Sequence, residues 1–217
     1  MINSTIHTPA ITSLIVGYQQ FKTKFFKKSC RYTQLVTQGQ QPKVLMIACC
    51  DSRVDPAILT NSGPGDLFVV RNIANLVPHY NDDADHLSIS SALEYGVLTL
   101  NVTDIIVLGH SHCGGIRALM QTKGNCGASS FIQSWLDSVK STKDAVLKKY
   151  SACSINEQTH HLEKESLLAS MNNLNTFPFI NQRVVENKLA LHAWYFNLKT
   201  GDLQSYHAST NRFIPLA

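Results

Sequence analysis

The sequence predicts an α/β domain: a central, mostly parallel β-sheet with an antiparallel edge strand, flanked by helices and preceded by a projecting N-terminal helix. Three observations carry this. Short apolar runs, Val44-Leu-Met-Ile-Ala48, Leu67-Phe-Val-Val70 and the stretch 104–109, read as buried strands bounded by turn residues. Helix-periodic segments separate them, the alternation that builds parallel sheets. A last apolar run, 189–196, is followed by a Lys199-Thr-Gly-Asp202 turn and a return over 203–207, which predicts a hairpin.

Taken in order, residues 1–10 read as a loose arm. Ile11, Leu14, Ile15, Tyr18, Phe21 and Phe25 recur at helical spacing, predicting one amphipathic helix over 11–28. Its aromatic stripe has two readings, a core face or a subunit interface. Gln38-Gly-Gln-Gln-Pro42 is a polar turn into the first strand. Asp55-Pro56 offers a helix start with proline in the first turn, and Gly63-Pro-Gly-Asp66 a turn. Acidic residues Asp82, Asp83 and Asp85 lie in a loop before a helix over 85–100, patterned by Ile89, Ala92, Leu93 and Val97. A helix is expected from Ile116, others over 131–150, 157–174 and 181–187. There is no internal repeat or linker, so 217 residues read as one domain, with 1–35 as an arm.

Hydrophobic residues make up 44% and charged residues 16%, the balance of a globular chain rather than a disordered one. The net charge of +4 is mild. Lys22, Lys24, Lys27 and Lys28 read as a solvated helix face, and no nucleic-acid partner is expected. No apolar run approaches the ~20 residues that span a bilayer. No Lys or Arg precedes Lys22, unlike a secretory or transit segment, so the expected location is the cytoplasm. There the cysteines need not pair; clustered Cys with His points to metal or catalysis. Cys30, Cys126 and Cys153 read as structural or surface thiols, and His160-His161 as surface histidines.

Chemistry concentrates at two strand ends. Ala48-Cys-Cys-Asp-Ser-Arg-Val54 follows the first strand, and Gly109-His-Ser-His-Cys-Gly-Gly115 the third. In an extended chain alternate residues share a face, placing Cys49, Asp51 and Arg53 together and Cys50 and Ser52 opposite. Cys49, His110 and Cys113 form a Cys2His donor set for zinc with a fourth position open, the catalytic arrangement. Cys50 is then assigned to packing and His112 to the rim. Two thiolates neutralise the charge of Zn²⁺ and leave bound water less acidic than three histidines would. Asp51 is the group to accept a hydrogen bond from that water, and Arg53 the group to hold Asp51 ionised.

At these residues the sequence closely resembles the β-class carbonic anhydrases. ACCDSRV is similar to the family's CxDxR motif and GHSHCGG to its HxxC motif, and PGDLFVVRNIANLVPHY and SALEYGVLTL between them are also similar. The resemblance runs from about Gln38 to Leu119 and, more weakly, over 184–206.

The resemblance implies the β-carbonic anhydrase fold and one Zn²⁺ per subunit on Cys49, His110 and Cys113, beside an Asp51–Arg53 dyad. It implies reversible hydration of CO2 to bicarbonate and a proton by attack of zinc-bound hydroxide. Gln40, nine residues before Cys49, stands where the open-site style of the family has a substrate-binding glutamine. Phe68, Ile73 and Tyr95 match that style's apolar pocket, with Tyr95 expected from the partner subunit, and the Gly114 N–H is expected to face the developing oxyanion. The partners implied are CO2 or bicarbonate and a second copy of the chain, as a homodimer clasped by its first helices or a homotetramer built from dimers. Hydrolysis of CS2 or COS on the same fold, and a non-catalytic zinc scaffold, remain as alternatives.

Overall fold

A computed structural model describes residues 8–27, 29–81, 87–121 and 130–216. Lys28, Asp82, Asp83, Asp85 and Cys126 therefore lie outside the described residues. The chain divides into two compact units, Met1–Gln41 and Pro42–Ala217.

The N-terminal unit holds α1 (Pro9–Lys22), a π turn (Thr23–Lys27) and α2 (Arg31–Gln38). The single helix expected over 11–28 is thus shorter, and α2 was not foreseen. Thr8 caps α1, its Oγ1 accepting the Ile11 N–H, and Pro9 stands in the first turn. Aromatic packing explains the turn-back: Phe26 and Tyr32 stack with centroids 4.6 Å apart, and Phe21 meets Phe25 at 5.0 Å and Tyr32 at 5.8 Å. No residue of α1 is buried.

In the second unit, strands β1 (Val44–Cys49), β2 (Leu67–Asn72), β3 (Asp104–His110), β4 (Ala190–Phe196), β5 (Leu203–His207) and β6 (Arg212–Pro215) form a sheet in the order β2-β1-β3-β4-β5-β6. The first four pair in parallel, and β5 and β6 antiparallel. The expected hairpin is present, but β6 extends it and takes the edge. Its Arg-Phe-Ile-Pro is too short and mixed to read as a strand from sequence.

Helices flank the sheet on the face that carries Leu45, Ile47, Ile105 and Val107. α4 (Leu87–Glu94) runs into a second π turn, Tyr95–Thr99, and α9 is Pro178–Val185. α5 (Gly114–Gln121) starts two residues earlier than expected. The helix expected over 131–150 is broken into α6 (Phe131–Leu136) and α7 (Lys140–Lys149) by a 3-10 turn. α8 (Ile155–Leu174) opens on a capping box, Ser154 with Glu157. A short α3 (Pro56–Leu59) is capped by Asp55, whose Oδ1 accepts the N–H groups of Ala57 and Ile58. Leu45, Ile47, Ile105 and Val107 point to one core with Leu93, Val97 and Leu167. Cys49, Cys113, Ile116, Leu119 and Leu162 belong to another. Among the described residues no helix is long and apolar enough to cross a membrane.

Candidate metal centre

The sheet order puts β1 beside β3, with Ala48 opposite Leu108. Both strands therefore end at one place, the carboxyl edge where open α/β sheets bind ligands. Cys49 closes β1 and His110 closes β3, and Cys113 follows at the entry to α5. Cys49, His110 and Cys113 are 4%, 2% and 2% exposed, so water satisfies none of them fully.

Their donor atoms lie within 4.8 Å of one another. The two sulfurs are 3.9 Å apart. Tetrahedral zinc with Zn–S bonds of about 2.3 Å would set two sulfurs about 3.8 Å apart. His110 Nδ1 donates to the Ser111 carbonyl at 2.9 Å, since a carbonyl only accepts, which leaves Nε2 as the lone-pair atom. Nε2 is buried and has no hydrogen-bond partner among the described residues, the state expected of a metal ligand. Between the sulfurs, the Cys113 hydrogen bond lowers the Cys49 thiol to about 4, with His110 and the Asp51 and Ala74 N–H groups helping against burial. The same bond, with burial, pushes Cys113 up. The pocket thus favours a thiolate at Cys49 beside the Cys113 thiol, and a divalent cation fits these three donors.

Past Cys49 the chain leaves the extended conformation, so the alternation expected for Cys49, Asp51 and Arg53 stops at the first of them. Asp51 and Arg53 meet instead through a turn, closed by Val54 N–H to the Asp51 carbonyl at 3.1 Å. Arg53 Nε donates to Asp51 Oδ1 at 2.9 Å and Nη2 to Oδ2 at 2.7 Å. The Arg53 amide adds a bond to Oδ1 at 3.0 Å. These Arg53 hydrogen bonds, its side chain's first, hold the Asp51 carboxyl well below the usual carboxylate range. Asp51, Cys50 and His112 all stay outside the three-donor group.

Sequence reasoning missed Arg71. From β2, opposite Ala48, it donates to the Cys49 carbonyl at 2.9 Å, the Asp51 carbonyl at 2.8 Å and Asp55 Oδ2 at 3.0 Å. It satisfies the backbone of the turn that carries the motif. Ser111 ties the second loop to the end of β4, its N–H to the Phe196 carbonyl and its Oγ accepting Leu198 N–H, both at 2.9 Å. His112 adopts φ 56°, is exposed, and offers its carbonyl to Arg53 Nη2 at 3.2 Å.

Cys50 corrects another expectation. It is exposed rather than packed, and lines a cavity of about 470 Å³ with Ile73 and Trp135. Its N–H bonds the Asn72 carbonyl, which turns the residue outward as β1 ends. Cys30 is an exposed free thiol and Cys153 a half-buried one. His160 is half exposed, while His161 stacks on Tyr150 at 3.6 Å.

The pocket residues divide. Ile73 stands against the loop that carries Cys113: a Cβ on Gly115 would meet its Cγ2 at 2.7 Å. Gly114 opens α5, where N–H groups lack intrahelical acceptors. Phe68 pairs with Tyr95 of the same chain, ring centroids 5.9 Å apart. Phe68 stands opposite Leu45, four positions before Cys49, so roughly 13 Å separates it from that end of the strand. Gln40 is exposed just after α2, in the N-terminal unit.

Comparison with known proteins agrees with this geometry. Residues 44–203 match the family model described as carbonic anhydrase. The Arabidopsis thaliana protein "Beta carbonic anhydrase 3" is 37% identical over 194 residues, covering 88% of this chain and 75% of that protein. The structure of the β-carbonic anhydrase CcaA superposes with a TM-score of 0.88 at 32% identity, covering 95% of this chain and 99% of that one. A tetrameric β-carbonic anhydrase from the filamentous ascomycete Sordaria macrospora matches with a TM-score of 0.76 at 25% identity, over 90% of this chain and 94% of that one. A match of this extent, on a chain whose two motifs meet at one donor cluster, places the protein in the β-carbonic anhydrase family of enzymes.

Proposed function

We propose that the chain catalyses the reversible hydration of CO2 to bicarbonate and a proton, with one Zn²⁺ per subunit held by Cys49, His110 and Cys113. The observation that carries this reading is the Arg53-bound carboxylate of Asp51 beside a buried three-donor set. A purely structural zinc site has four protein ligands and no use for such a pair. When bound, zinc supplies the Lewis acidity that makes hydroxide available near neutral pH.

The role of Asp51 follows from its lone pairs. A carboxylate oxygen offers two. Oδ1 already accepts two N–H groups of Arg53, whereas Oδ2 accepts one. Oδ2 is therefore the atom that receives a hydrogen bond from the reacting water and orients it. Because the carboxyl is held ionised, it passes a proton on to solvent buffer rather than keeping it. Ile73 supplies an apolar wall for CO2, and the Gly114 N–H and the Gln40 amide stabilise the developing oxyanion.

Phe68 and Tyr95 form one unit, and it stands too far along the sheet to serve this chain's own donors. We assign both to the partner subunit's site in a homodimer, which can pair further into a tetramer as the Sordaria macrospora relative does. The exposed stripe of α1 supports a clasp around the partner. Cys30, Cys49, Cys50, Cys113 and Cys153 are all free, which fits the reducing cytoplasm.

Zinc stoichiometry measured together with stopped-flow CO2 hydration across pH tests the reading. One zinc per chain with hydration is expected. Zinc without hydration at any pH would overturn it and leave a scaffold or a different substrate.

A further inference from the structure

Behind the metal ligands lies a carboxylate that the chemistry above does not use. Glu163 sits on the core side of α8, its side chain only 4% exposed. Oε1 accepts the Cys113 N–H at 3.2 Å, and Oε2 the Tyr195 hydroxyl at 2.7 Å. One turn earlier on α8, His160 brings Nδ1 to 3.4 Å from Oε2 and 3.2 Å from the Tyr195 oxygen. Burial and then the Glu163 charge push the Tyr195 hydroxyl far above its ordinary range, so it stays a donor. Helix α8, strand β4 and the loop entering α5 converge on this one group.

Burying an ionised carboxylate is costly unless donors replace its water. Apolar side chains replacing the carboxylate and its donors together would often serve the fold as well or better. What an apolar side chain would lose is the grip on the Cys113 amide. The orientation of that amide fixes the Cα–Cβ direction of Cys113, and so where its sulfur stands relative to Cys49. Donors on either side share the work, since the Cys113 sulfur in turn draws on the N–H groups of Ile116 and Gly115.

We infer that Glu163 is a positioning residue for the metal: through the Cys113 amide it aims the Cys113 sulfur at the shared ion, while Tyr195 and His160 hold the carboxylate in place. This rests on the zinc reading above. It adds a requirement outside the two sequence motifs, from a helix about 50 residues further along the chain.

The test is zinc affinity by competition with a chromophoric chelator, on the full chain, for wild type, Glu163→Met, Glu163→Gln and Tyr195→Phe. Thermal midpoints of the zinc-free forms and the thiolate-to-metal absorption band of the cobalt(II) forms accompany it. Glu163→Met is expected to lower the zinc-free midpoint, because the Cys113 N–H and the Tyr195 hydroxyl lose their acceptor, to weaken zinc binding about 10–100-fold and to shift the cobalt band. Glu163→Gln, which keeps an acceptor for the amide, should restore affinity to within about threefold of wild type. Tyr195→Phe should weaken binding by about threefold or more, which keeps the test open if Glu163→Met does not fold. Wild-type affinity and an unshifted cobalt band in folded Glu163→Met, or in Tyr195→Phe should Met fail to fold, would overturn the inference. A wild type that binds no zinc would overturn the zinc reading itself, and this inference with it.

Discussion

Arg53 meets Asp51 edge-on, with Nε 2.9 Å from one carboxylate oxygen and Nη2 2.7 Å from the other. Nη2 also reaches the His112 carbonyl at 3.2 Å, so one guanidinium joins both loops of the donor cluster. A lysine keeps the charge but cannot span two oxygens and a carbonyl in that plane. Arg53→Lys should keep its zinc and lose at least about tenfold in kcat for CO2 hydration. Asp51→Ala should also keep zinc and fall by about 10²–10⁴. Metal analysis alongside stopped-flow assays checks both, and a fully active Asp51→Ala enzyme would remove Asp51 from the mechanism.

The same pair sets a pH signature. The folded Asp51 carboxyl lies below its unfolded value of about 3.9. A depressed folded value contributes stability above the unfolded one and loses it as pH falls through the folded one. In zinc-free protein, the stability gap between wild type and Asp51→Asn should be flat from about pH 8 to about pH 5 and shrink below about pH 4. Denaturant titrations along that range read it directly; a gap that widens toward acid contradicts the pairing.

Cys49→Ser should leave the purified chain with essentially no zinc and background hydration. A hydroxyl is a poor replacement for a thiolate toward zinc, and only His110 and Cys113 would remain as good donors. Stripping zinc from wild type with a chelator should abolish activity, and adding zinc back should return it. Zinc bound at full stoichiometry in Cys49→Ser would contradict the donor set.

Gly115 and Gly114 are adjacent but not equivalent. A methyl on Gly115 would meet Ile73 Cγ2 at 2.7 Å and Ala74 Cβ at 3.1 Å, while one on Gly114 meets nothing within 4 Å. Gly115→Ala should cost about 1–3 kcal/mol through overpacking, lowering Tm by several degrees. Gly114→Ala should change stability by under about 1 kcal/mol. Thermal unfolding of the two variants side by side decides it.

The strands that matter most were legible because burial on both faces writes itself as an unbroken apolar run. Val44-Leu-Met-Ile-Ala48 and Ile105-Ile-Val-Leu108 could hardly be anything else. The donor cluster was legible from spacing, since Cys49 and His110 close those runs. The geometry of Asp51 and Arg53 was not, because a turn replaces the strand at Cys50 and period-two reasoning no longer applies. Arg71 reads as an ordinary polar residue after a strand, and its three acceptors come from a loop it does not adjoin in sequence. Glu163 left a usable trace: it shares a face with Leu167, Ser170 and Leu174, all buried, where an acidic residue is out of place. The break between α6 and α7 and the turn into α2 depend on tertiary packing, which a periodic pattern does not record.

Cys49 and Cys113 are 64 positions apart and become neighbours only when β1 and β3 lie side by side in register. A slip of one residue would turn one strand's donor to the opposite face of the sheet. A bound ion that touches both strand ends therefore favours one alignment over every shifted one, by a margin that grows with the ion's concentration relative to its Kd. A metal held by these donors would thus double as a proofreader of strand pairing. Zinc-free protein would lack that added preference and would rely on the backbone pairing of the two central strands alone.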